Sequence, residues 1–361
     1  MRGHDLVVVG ASAGGVEALG RLVRELKPEL PAALLVVLHV PPGTTSALPS
    51  ILDRQGPLPV SHARDGEPIR RGHIHVAPPD SHLLVSESTL RLSQGPRENG
   101  HRPAIDPTFR SAARSHGPHT VGIVLSGVLD DGTAGLLAIK ARGGTAIVQD
   151  PDDALYPGMP SSAIEHVKVD HIVSVPAIAA LLDALAQEPP DPPDPPRALP
   201  FRNRRLEERT EDLAADLPGH GPAALPGQPS IFACPECDGV LWEVQDGRLV
   251  RFRCHVGHAW SPESLLSHQS EALEGALWAA LRSLQERAAL ARRMADPARH
   301  RRHGLVALRF NEQAREAEQA AAVLRELLLK RSSVAGAQPQ GAVQHEDQRA
   351  ADERGHHRAR P

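Results

Sequence analysis

Two kinds of hydrophobic pattern alternate along the first half of the chain. Short apolar runs rich in β-branched residues are separated by stretches whose apolar residues recur with the period of a helix. Unbroken apolar runs are typical of strands buried on both faces, which indicates a parallel sheet covered by helices on both sides. The predicted strands are 6–9, 33–40, 121–125, 145–148 and 171–175, and the predicted helices include 16–26, 133–142 and 177–185.

The stretch from residue 73 to residue 92 has a different pattern. It contains two or three short apolar segments separated by the turn residues Pro78-Pro79-Asp80 and Glu87-Ser88. This pattern predicts an antiparallel hairpin at an edge of the sheet. The predicted fold class is therefore α/β, a parallel doubly wound sheet with an antiparallel edge hairpin. A small cysteine module and a helical hairpin are predicted to follow it.

The pattern changes again beyond residue 187. Proline pairs alternate with aspartate at 189–196, which favours an extended linker. The predicted divisions are an α/β domain at 1–188, a Pro-rich linker at 189–229, a compact cysteine module at 230–261, a helical hairpin at 262–330 and a disordered tail at 331–361. Two leucine and alanine stripes predict the seam of the helical hairpin, formed by Leu266, Leu273, Leu277, Leu281 and Leu284 on one helix and Leu305, Leu308, Ala317, Ala321, Leu324 and Leu328 on the other.

Composition narrows the class of protein. The 40 Lys and Arg against 44 Asp and Glu give a net charge of −4, so nucleic acid is not an expected partner. The range 280–310 contains eight arginines and only two acidic residues. We interpret these arginines as a solvated helix face or as a surface for an acidic protein. No apolar run reaches about 18 residues, which predicts no membrane insertion. The sequence has only three cysteines and no secretory signal, which predicts a cytoplasmic protein.

A serine lies on a tight turn between the first strand and the first helix. Gly10-Ala11-Ser12-Ala13-Gly14 matches the G-x-S-x-G elbow in its strand–turn–helix context. In that context Ser12 is a candidate nucleophile, and the free N–H groups of Ala13 and Gly14 are candidate oxyanion donors. A phosphate cradle and a merely structural turn remain open, although the Walker lysine and the G-x-G-x-x-G spacing are missing.

Two further strands end in groups that could serve this serine. His39 follows an apolar strand, and Asp130 and Asp131 follow another, so all three emerge at the edge that carries Ser12. A serine needs a base, and a carboxylate can orient that base. Each residue also has a simpler interpretation, the histidine as a polar strand end and an aspartate as a helix cap. The chain order Ser-His-Asp differs from that of α/β-hydrolases.

Six ordered motifs resemble the catalytic domain of CheB-type protein-glutamate methylesterases over about residues 5–187. They are VVVGASAGGVEAL, LHVPPG, DGEPIRRGHIHVAPPDSHL, HRPAIDPTFRSAA, VGIVLSGVLDDGTAGL and YPGMPSSAI. The resemblance implies a serine-type esterase that demethylates glutamyl methyl esters on chemoreceptor-type proteins, with no catalytic cofactor. It also implies a setting that includes a cognate methyltransferase or histidine kinase system.

The resemblance also assigns the site residues. It places the nucleophile on Ser12, the base on His39 and the triad acid on Asp131, with Asp130 as a supporting residue where the family often has asparagine. This chain departs from the family pattern at Ala13 and Val128, which puts rate and substrate preference in question. Typical members carry an N-terminal receiver domain, whereas here the first strand begins near residue 5, so receiver regulation in cis is expected to be absent.

The cysteines predict a metal site. Cys234 and Cys237 form a CxxC pair, and Cys254 follows sixteen residues later, a spacing typical of zinc ribbons with a hairpin turn at Asp246-Gly247. His258 is predicted as the fourth ligand, because its spacing from Cys254 lets the chain turn back. A closed site of three cysteines and one histidine predicts a structural zinc ion.

Two other functions remain open at this stage. One is a receptor glutamine deamidase or another acyl hydrolase on the same site, and the other is a non-catalytic scaffold that acts through the C-terminal arm. Because the three triad residues lie within 1–188, a fragment of these residues is expected to keep its esterase activity. The linker is long enough for the arm to reach the catalytic edge, where it is expected to regulate by occlusion or by recruiting the receptor.

Overall fold

The computed structural model describes residues 4–187, 227–246, 249–301 and 303–335. Within the chain, two compact units are formed by Met1–Gln269 and Ser270–Pro361. Most of the predicted linker, Gly247 of the predicted hairpin turn, and the predicted tail beyond residue 335 lie outside the described residues. Among the helices that the structure describes, none is long and apolar enough to cross a membrane.

A seven-stranded sheet forms the centre of the first unit, with the order β3-β4-β2-β1-β7-β8-β9 and every pairing parallel. Its strands are β1 (Leu6–Ala11), β2 (Ala33–Leu38), β3 (Val60–His62), β4 (Ile74–Val76), β7 (Thr120–Val124), β8 (Thr145–Gln149) and β9 (His171–Val173). The chain proceeds to one side of β1 through β2 and to the other side through β7. The carboxyl edge between these strands is therefore a topological switch point, where α/β proteins bind ligands.

Helices cover both faces of this sheet, as the apolar runs predict. They are α1 (Gly15–Glu25), α2 (Leu48–Asp53), α3 (Ile105–His116), α4 (Thr133–Ala141), α5 (Gly158–His166) and α6 (Val175–Gln187), with a short 3₁₀ helix at Gly117–His119. Alternate residues of β1 point to opposite faces, so Val7 and Val9 pack into one core and Leu6 and Val8 into the other. The predicted parallel α/β fold is confirmed.

The region of residues 73–92 differs in detail from the prediction. Ile74–Val76 pairs in parallel with β2 and β3 inside the main sheet. The antiparallel hairpin exists, but β5 (His82–Ser86) and β6 (Thr89–Ser93) form a separate two-stranded sheet instead of an edge of the main one. It is attached to α3, where Thr108 Oγ1 donates to the carbonyl of Leu83 at 2.7 Å. A three-residue strand is too short to show an alternating pattern, which explains the difference.

A small antiparallel sheet begins at Gln228 and belongs to the same compact unit. Its strands are β10 (Gln228–Ala233), β11 (Val240–Asp246), β12 (Leu249–Cys254) and β13 (Ala259–Trp260), in that order across the sheet. Leu241, Phe252, Trp260 and Leu265 pack around Cys234 and Cys254 in its core. The first turns of the next helix, up to Gln269, complete this unit.

Two long helices make up the described part of the second unit, α7 (Pro262–His300) from Ser270 onward and α8 (Gly304–Ala335). Leu281, Ala321 and Leu328 form their buried seam, joined by Leu277, Leu284 and Leu324. Four leucines predicted for the stripes are exposed instead, namely Leu266, Leu273, Leu305 and Leu308. Elsewhere along the helices the buried positions are alanines, including Ala288, Ala291, Ala295, Ala307 and Ala314, whose small side chains the leucine pattern did not identify.

Candidate active site and metal site

Ser12 lies at the carboxyl end of β1 in the turn that precedes α1. Its N–H donates to the carbonyl of Ser126 at 3.0 Å, which ties the turn to the end of β7. Gly14 takes a left-handed conformation at φ 72°, which favours glycine and lets the chain enter α1 directly. In the described residues, neither Ala13 N–H nor Gly14 N–H donates to a backbone carbonyl. Both groups therefore remain available to an oxyanion.

His39 follows β2 and bridges the other two members of the predicted triad. Its Nδ1 is 3.1 Å from Ser12 Oγ, and its Nε2 is 2.7 Å from Asp131 Oδ2. An ionised carboxylate can only accept, so the proton of the neutral imidazole lies on Nε2. Nδ1 then presents its lone pair to the Ser12 hydroxyl. With a side chain only 7% exposed, His39 is shielded from water on most sides.

Asp131 is buried in the loop between β7 and α4 and is surrounded by hydrogen-bond donors. Besides His39, its Oδ2 accepts from Ile105 N–H at 2.7 Å, and its Oδ1 accepts from Gly132 N–H at 3.0 Å and from Asn99 Nδ2 at 3.1 Å. Burial alone would raise the pKa of Asp131, but the hydrogen bond and charge of His39, followed by the Ile105 N–H, outweigh burial and lower it to about 2. The carboxylate is therefore ionised at neutral pH and fixed in orientation.

Asp130 is the neighbour of Asp131 and has a different environment. Its Oδ1 accepts a hydrogen bond from Ser261 Oγ at 2.7 Å, so this carboxyl faces the first turn of α7. Burial raises the pKa of Asp130 to about 7, and the bond from Ser261 opposes this only in part. His39 is bonded to the carboxylate of Asp131. The two adjacent aspartates, which local sequence could not distinguish, thus have different hydrogen-bond partners in the structure.

Two side chains at the triad were not identified from the sequence, although both lie in or next to a quoted motif. His101 stacks on the ring of His39, with centroids 3.7 Å apart and an angle of 12° between the planes. Burial, followed by the charge of His39, lowers the pKa of His101 to about 3, so it is a neutral neighbour. Asn99 donates to Asp131 from the same turn. The Asn99-Gly100 pair is a strong turn signal, and it was the available clue.

The small sheet packs against the turn that carries these residues. Glu98 is buried between three arginines, accepting from Arg110 at 2.7 Å and from Arg251 and Arg253 of β12 at 3.0 Å each. Burial acts against ionisation, but these guanidinium groups hold the pKa of Glu98 well below its usual range. Arg251 also lies 3.6 Å from Asp106, whose own pKa is raised to about 6 by burial and by the charge of Asp131.

The predicted metal ligands come together at one end of the small sheet. One ligand atom from each of Cys234, Cys237, Cys254 and His258 lies within 4.8 Å of the others. Nδ1 of His258 is 3.5 Å from Cys254 Sγ and 3.7 Å from Cys234 Sγ, and Cys237 Sγ is 3.6 Å from Cys254 Sγ. A hydrogen bond between the crowded sulfurs lowers the pKa of Cys234 and raises that of Cys254. Three sulfurs and one imidazole nitrogen suit a tetrahedral zinc ion.

Comparison with known proteins assigns the parallel-sheet region to a family. The CheB methylesterase model matches residues 7–182. A "protein-glutamate methylesterase/protein-glutamine glutaminase 2" of Anaeromyxobacter dehalogenans is 38% identical over 183 residues, covering 51% of this chain and 54% of that relative. A "protein-glutamate methylesterase/protein-glutamine glutaminase" of Paraburkholderia xenovorans is 39% identical over 180 residues, covering 49% of each chain. This chain thus spans about half the length of these curated relatives.

A solved structure is also similar. The crystal structure of the Thermotoga maritima CheB methylesterase catalytic domain is 34% identical, with a TM-score of 0.49, and covers 50% of this chain and 98% of that one. The family match confirms the resemblance predicted from the six motifs. Through residues 7–182, the chain belongs to the CheB methylesterase family.

Proposed function

We propose that the parallel-sheet domain hydrolyses glutamyl methyl esters in proteins, with Ser12 as nucleophile, His39 as general base and Asp131 as the acid of the triad. The observation that carries this proposal is the continuous hydrogen-bond chain from Ser12 Oγ through both nitrogens of His39 to a buried, ionised carboxylate. Membership of the CheB methylesterase family and the names of the curated relatives support the choice of ester.

The reaction proceeds in two acyl-transfer steps. Ser12 Oγ attacks the ester carbonyl carbon while Nδ1 of His39 takes the hydroxyl proton, and Asp131 stabilises the resulting imidazolium. The tetrahedral intermediate then expels methanol, which leaves with the proton from His39. Water attacks the acyl-enzyme, again giving its proton to His39, and Ser12 departs with that proton to leave free glutamate.

The negative charge of each tetrahedral intermediate forms near the first turn of α1. We assign the oxyanion donors to the N–H groups of Ala13 and Gly14, because neither is engaged by a backbone carbonyl in the described residues. The amino end of α1 adds a favourable dipole at the same position. Removing one such donor typically costs about 10²- to 10³-fold in rate.

A second activity, glutamine deamidation, shares the same residues. The curated relatives carry both names, and an amide differs from the ester only in its leaving group, ammonia instead of methanol. His39 would protonate that leaving group from the same Nδ1 position. We therefore propose deamidation as the alternative reaction of this site.

We propose methylated chemoreceptor-type proteins as substrates. A glutamyl methyl ester must be supplied by a methyl transfer to glutamate, so a methyltransferase belongs to the same reaction sequence, and a histidine kinase system is its expected context. Three cysteines that form no disulfide favour the cytoplasm. A net charge of −4 disfavours nucleic acid as a partner.

The C-terminal segments take other roles in this proposal. Cys234, Cys237, Cys254 and His258 would hold a structural zinc ion, which would stabilise the small sheet without entering the reaction. A tetrahedral site with four protein ligands leaves no position for a substrate. The division into a catalytic domain at 1–188, a linker, a ribbon at 230–261 and a helical hairpin at 262–330 remains a proposal about how these roles are distributed.

The test is product release from a methylated receptor fragment and from its glutamine form. We expect methanol from the first, loss of that methanol in Ser12→Ala, and unchanged release in the control Ser115→Ala, whose hydroxyl donates to the carbonyl of Glu87 on the surface. Ammonia release from the glutamine form would establish the second activity. Equal methanol release by Ser12→Ala and the unaltered protein would refute the assignment of the nucleophile.

A further inference from the structure

A tight turn at Glu98–His101 separates the triad from the segment that follows the linker. Asn99 and Gly100 have positive φ angles of 52° and 77°, and the N–H and C=O groups of Glu98 and His101 are paired across the turn. Two consecutive positive φ angles are characteristic of a type I′ turn, for which Asn-Gly is the preferred sequence. The turn is therefore rigid and has two distinct sides.

The inner side of the turn contacts the triad through two side chains. Asn99 Nδ2 donates to Asp131 Oδ1 at 3.1 Å, while Oδ2 accepts from His39 Nε2 and Ile105 N–H. His101 covers one face of the His39 ring by stacking. The two contacts restrain the orientation of the acid and of the base, respectively.

The outer side of the turn contacts the segment 228–269, which we call the C-terminal extension. Asn99 N–H donates to the carbonyl of Ala259 at 2.8 Å. Its side-chain Oδ1 accepts from both Ser261 N–H and Ser264 Oγ at 2.9 Å. Because two donors occupy Oδ1, the NH₂ group of Asn99 must face Asp131.

The same turn is also anchored at its two neighbouring positions. Glu98 forms ion pairs with Arg251 and Arg253 of the extension, and all three side chains are at most 11% exposed. At Gly100 a Cβ atom would overlap the ring of His268, so the first turns of α7 lie directly against the turn. The extension therefore contacts three consecutive residues of the turn, Glu98, Asn99 and Gly100.

We propose that the C-terminal extension is part of the esterase site, and that Asn99 is the positioning residue that transmits its contacts to Asp131. The proposal rests on the proposed function, since it concerns how the same triad is oriented. It replaces the expectation that residues 1–188 suffice, because such a fragment would lack Ser261 and Ser264 and would leave Asn99 free to rotate. It also differs from the expectation that a C-terminal arm regulates by occlusion or by recruiting the receptor. In this proposal the extension contributes contacts to the site from a fixed position.

The decisive variant is Asn99→Asp. Aspartate is isosteric, tolerates a positive φ and keeps an acceptor for Ser261 and Ser264, but its second oxygen cannot donate to Asp131 unless it is protonated. Two adjacent carboxylates share a proton at lower pH and repel each other once both are ionised. The variant should therefore resemble the unaltered protein at low pH and lose activation of Ser12 as the pH rises.

The measurement is the rate at which a fluorophosphonate probe labels Ser12. In this reaction a bond forms between Oγ and phosphorus, fluoride leaves, and His39 takes the hydroxyl proton. We expect the ratio of the Asn99→Asp rate to the unaltered rate to fall by about 10- to 100-fold between about pH 6 and pH 9. Titration of His101, Asp106 and Asp130 occurs in both proteins, so most of its effect cancels in the ratio.

Two serine variants test whether contacts from the extension control the rate at which Ser12 is labelled. Ser264→Ala, which removes one donor to Asn99, should label several-fold more slowly, whereas Ser230→Ala, whose hydroxyl donates to Leu241 within the extension, should label at the unaltered rate. Far-ultraviolet circular dichroism and zinc content show whether each variant keeps its fold. If Asn99→Asp does not fold, Ser264→Ala decides the question alone.

The outcomes separate this inference from the proposed function. Labelling of Asn99→Asp and Ser264→Ala at the unaltered rate across the pH range would overturn the role of the extension. Normal labelling of the unaltered protein without methanol release would overturn the proposed substrate and leave the positioning intact. A failure to label Ser12 in the unaltered protein would overturn both.

Discussion

Replacing Asp131 by asparagine should disable the base without removing any group that touches the substrate. In the structure Asp131 Oδ1 faces three donors, from Asn99, Asp106 and Gly132, whereas Oδ2 faces Ile105 N–H and His39. An asparagine side chain would therefore keep its carbonyl oxygen at the first position and turn its NH₂ group toward His39. Nε2 would then have to accept, and the imidazole proton would move to Nδ1, where it faces Ser12 Oγ and blocks proton transfer.

The expected loss of kcat in Asp131→Asn follows from this change in the tautomer of His39. A wrong tautomer in a Ser-His-Asp site lowers kcat by about 10⁴-fold, which corresponds to roughly 5 kcal/mol in the activation barrier. Asp130→Asn is the matched control, because an asparagine oxygen can still accept the bond from Ser261 and its neighbour Asp131 is unchanged. Its kcat should change little.

The assay is the initial rate of methanol release from a methylated receptor fragment, with both variants checked for folding by thermal melting. KM should be similar in the two variants, because neither carboxyl is assigned a contact with the ester. A comparable fall in kcat for Asp130→Asn and Asp131→Asn would refute the identification of the acid. A fall only in Asp130→Asn would reverse the assignment.

Three further predictions concern stability and metal. Burial raises the pKa of Asp130 from an ordinary 3.8 to about 7 in the folded protein, so the contribution of this carboxyl to stability is complete below about pH 4 and is lost as the pH rises through about 7. At about pH 8, urea denaturation of Asp130→Asn should therefore give a free energy of unfolding above that of the unaltered protein by a few kcal/mol. Glu98→Gln removes the carboxylate that Arg110, Arg251 and Arg253 share and should lower the free energy of unfolding by about 3–5 kcal/mol in the same assay, and a change near zero would contradict the buried cluster. Zinc analysis should find one metal ion per chain, lost in Cys237→Ser, and chelation should slow probe labelling of Ser12; purified protein without metal but with an ordered small sheet would refute the metal site.

The part of the site built from strand ends was predictable from the sequence. Ser12, His39 and the aspartate pair each follow an apolar run, and parallel strands bring their carboxyl ends to one edge of the sheet. Local pattern could not choose between Asp130 and Asp131, because the choice depends on which carboxyl accepts from His39 in three dimensions. The family resemblance pointed to Asp131, and in the structure this residue accepts from Nε2 of His39.

The contribution of the extension was not predictable from the sequence. Asn99 and Ser261 are 162 residues apart, and no periodicity connects a turn with the first residues of a distant helix. The helix α3 was missed for a related reason: Asp106, Thr108, Arg110 and Ser111 are all buried, so the segment lacks the polar face expected of a surface helix. Buried polar networks conceal the amphipathic signal on which sequence interpretation depends.

The buried ion cluster around Glu98 has a consequence for the inheritance of this architecture. With only Arg110 as its partner, a carboxylate in that position would carry a larger desolvation cost, and so would Arg251 and Arg253 without that carboxylate. We therefore expect the glutamate and the two arginines of β12 to covary. In an alignment of related sequences, the three residues should be present together or absent together. A chimera that joins this catalytic domain to an extension lacking the arginine pair should be selected against until position 98 also changes.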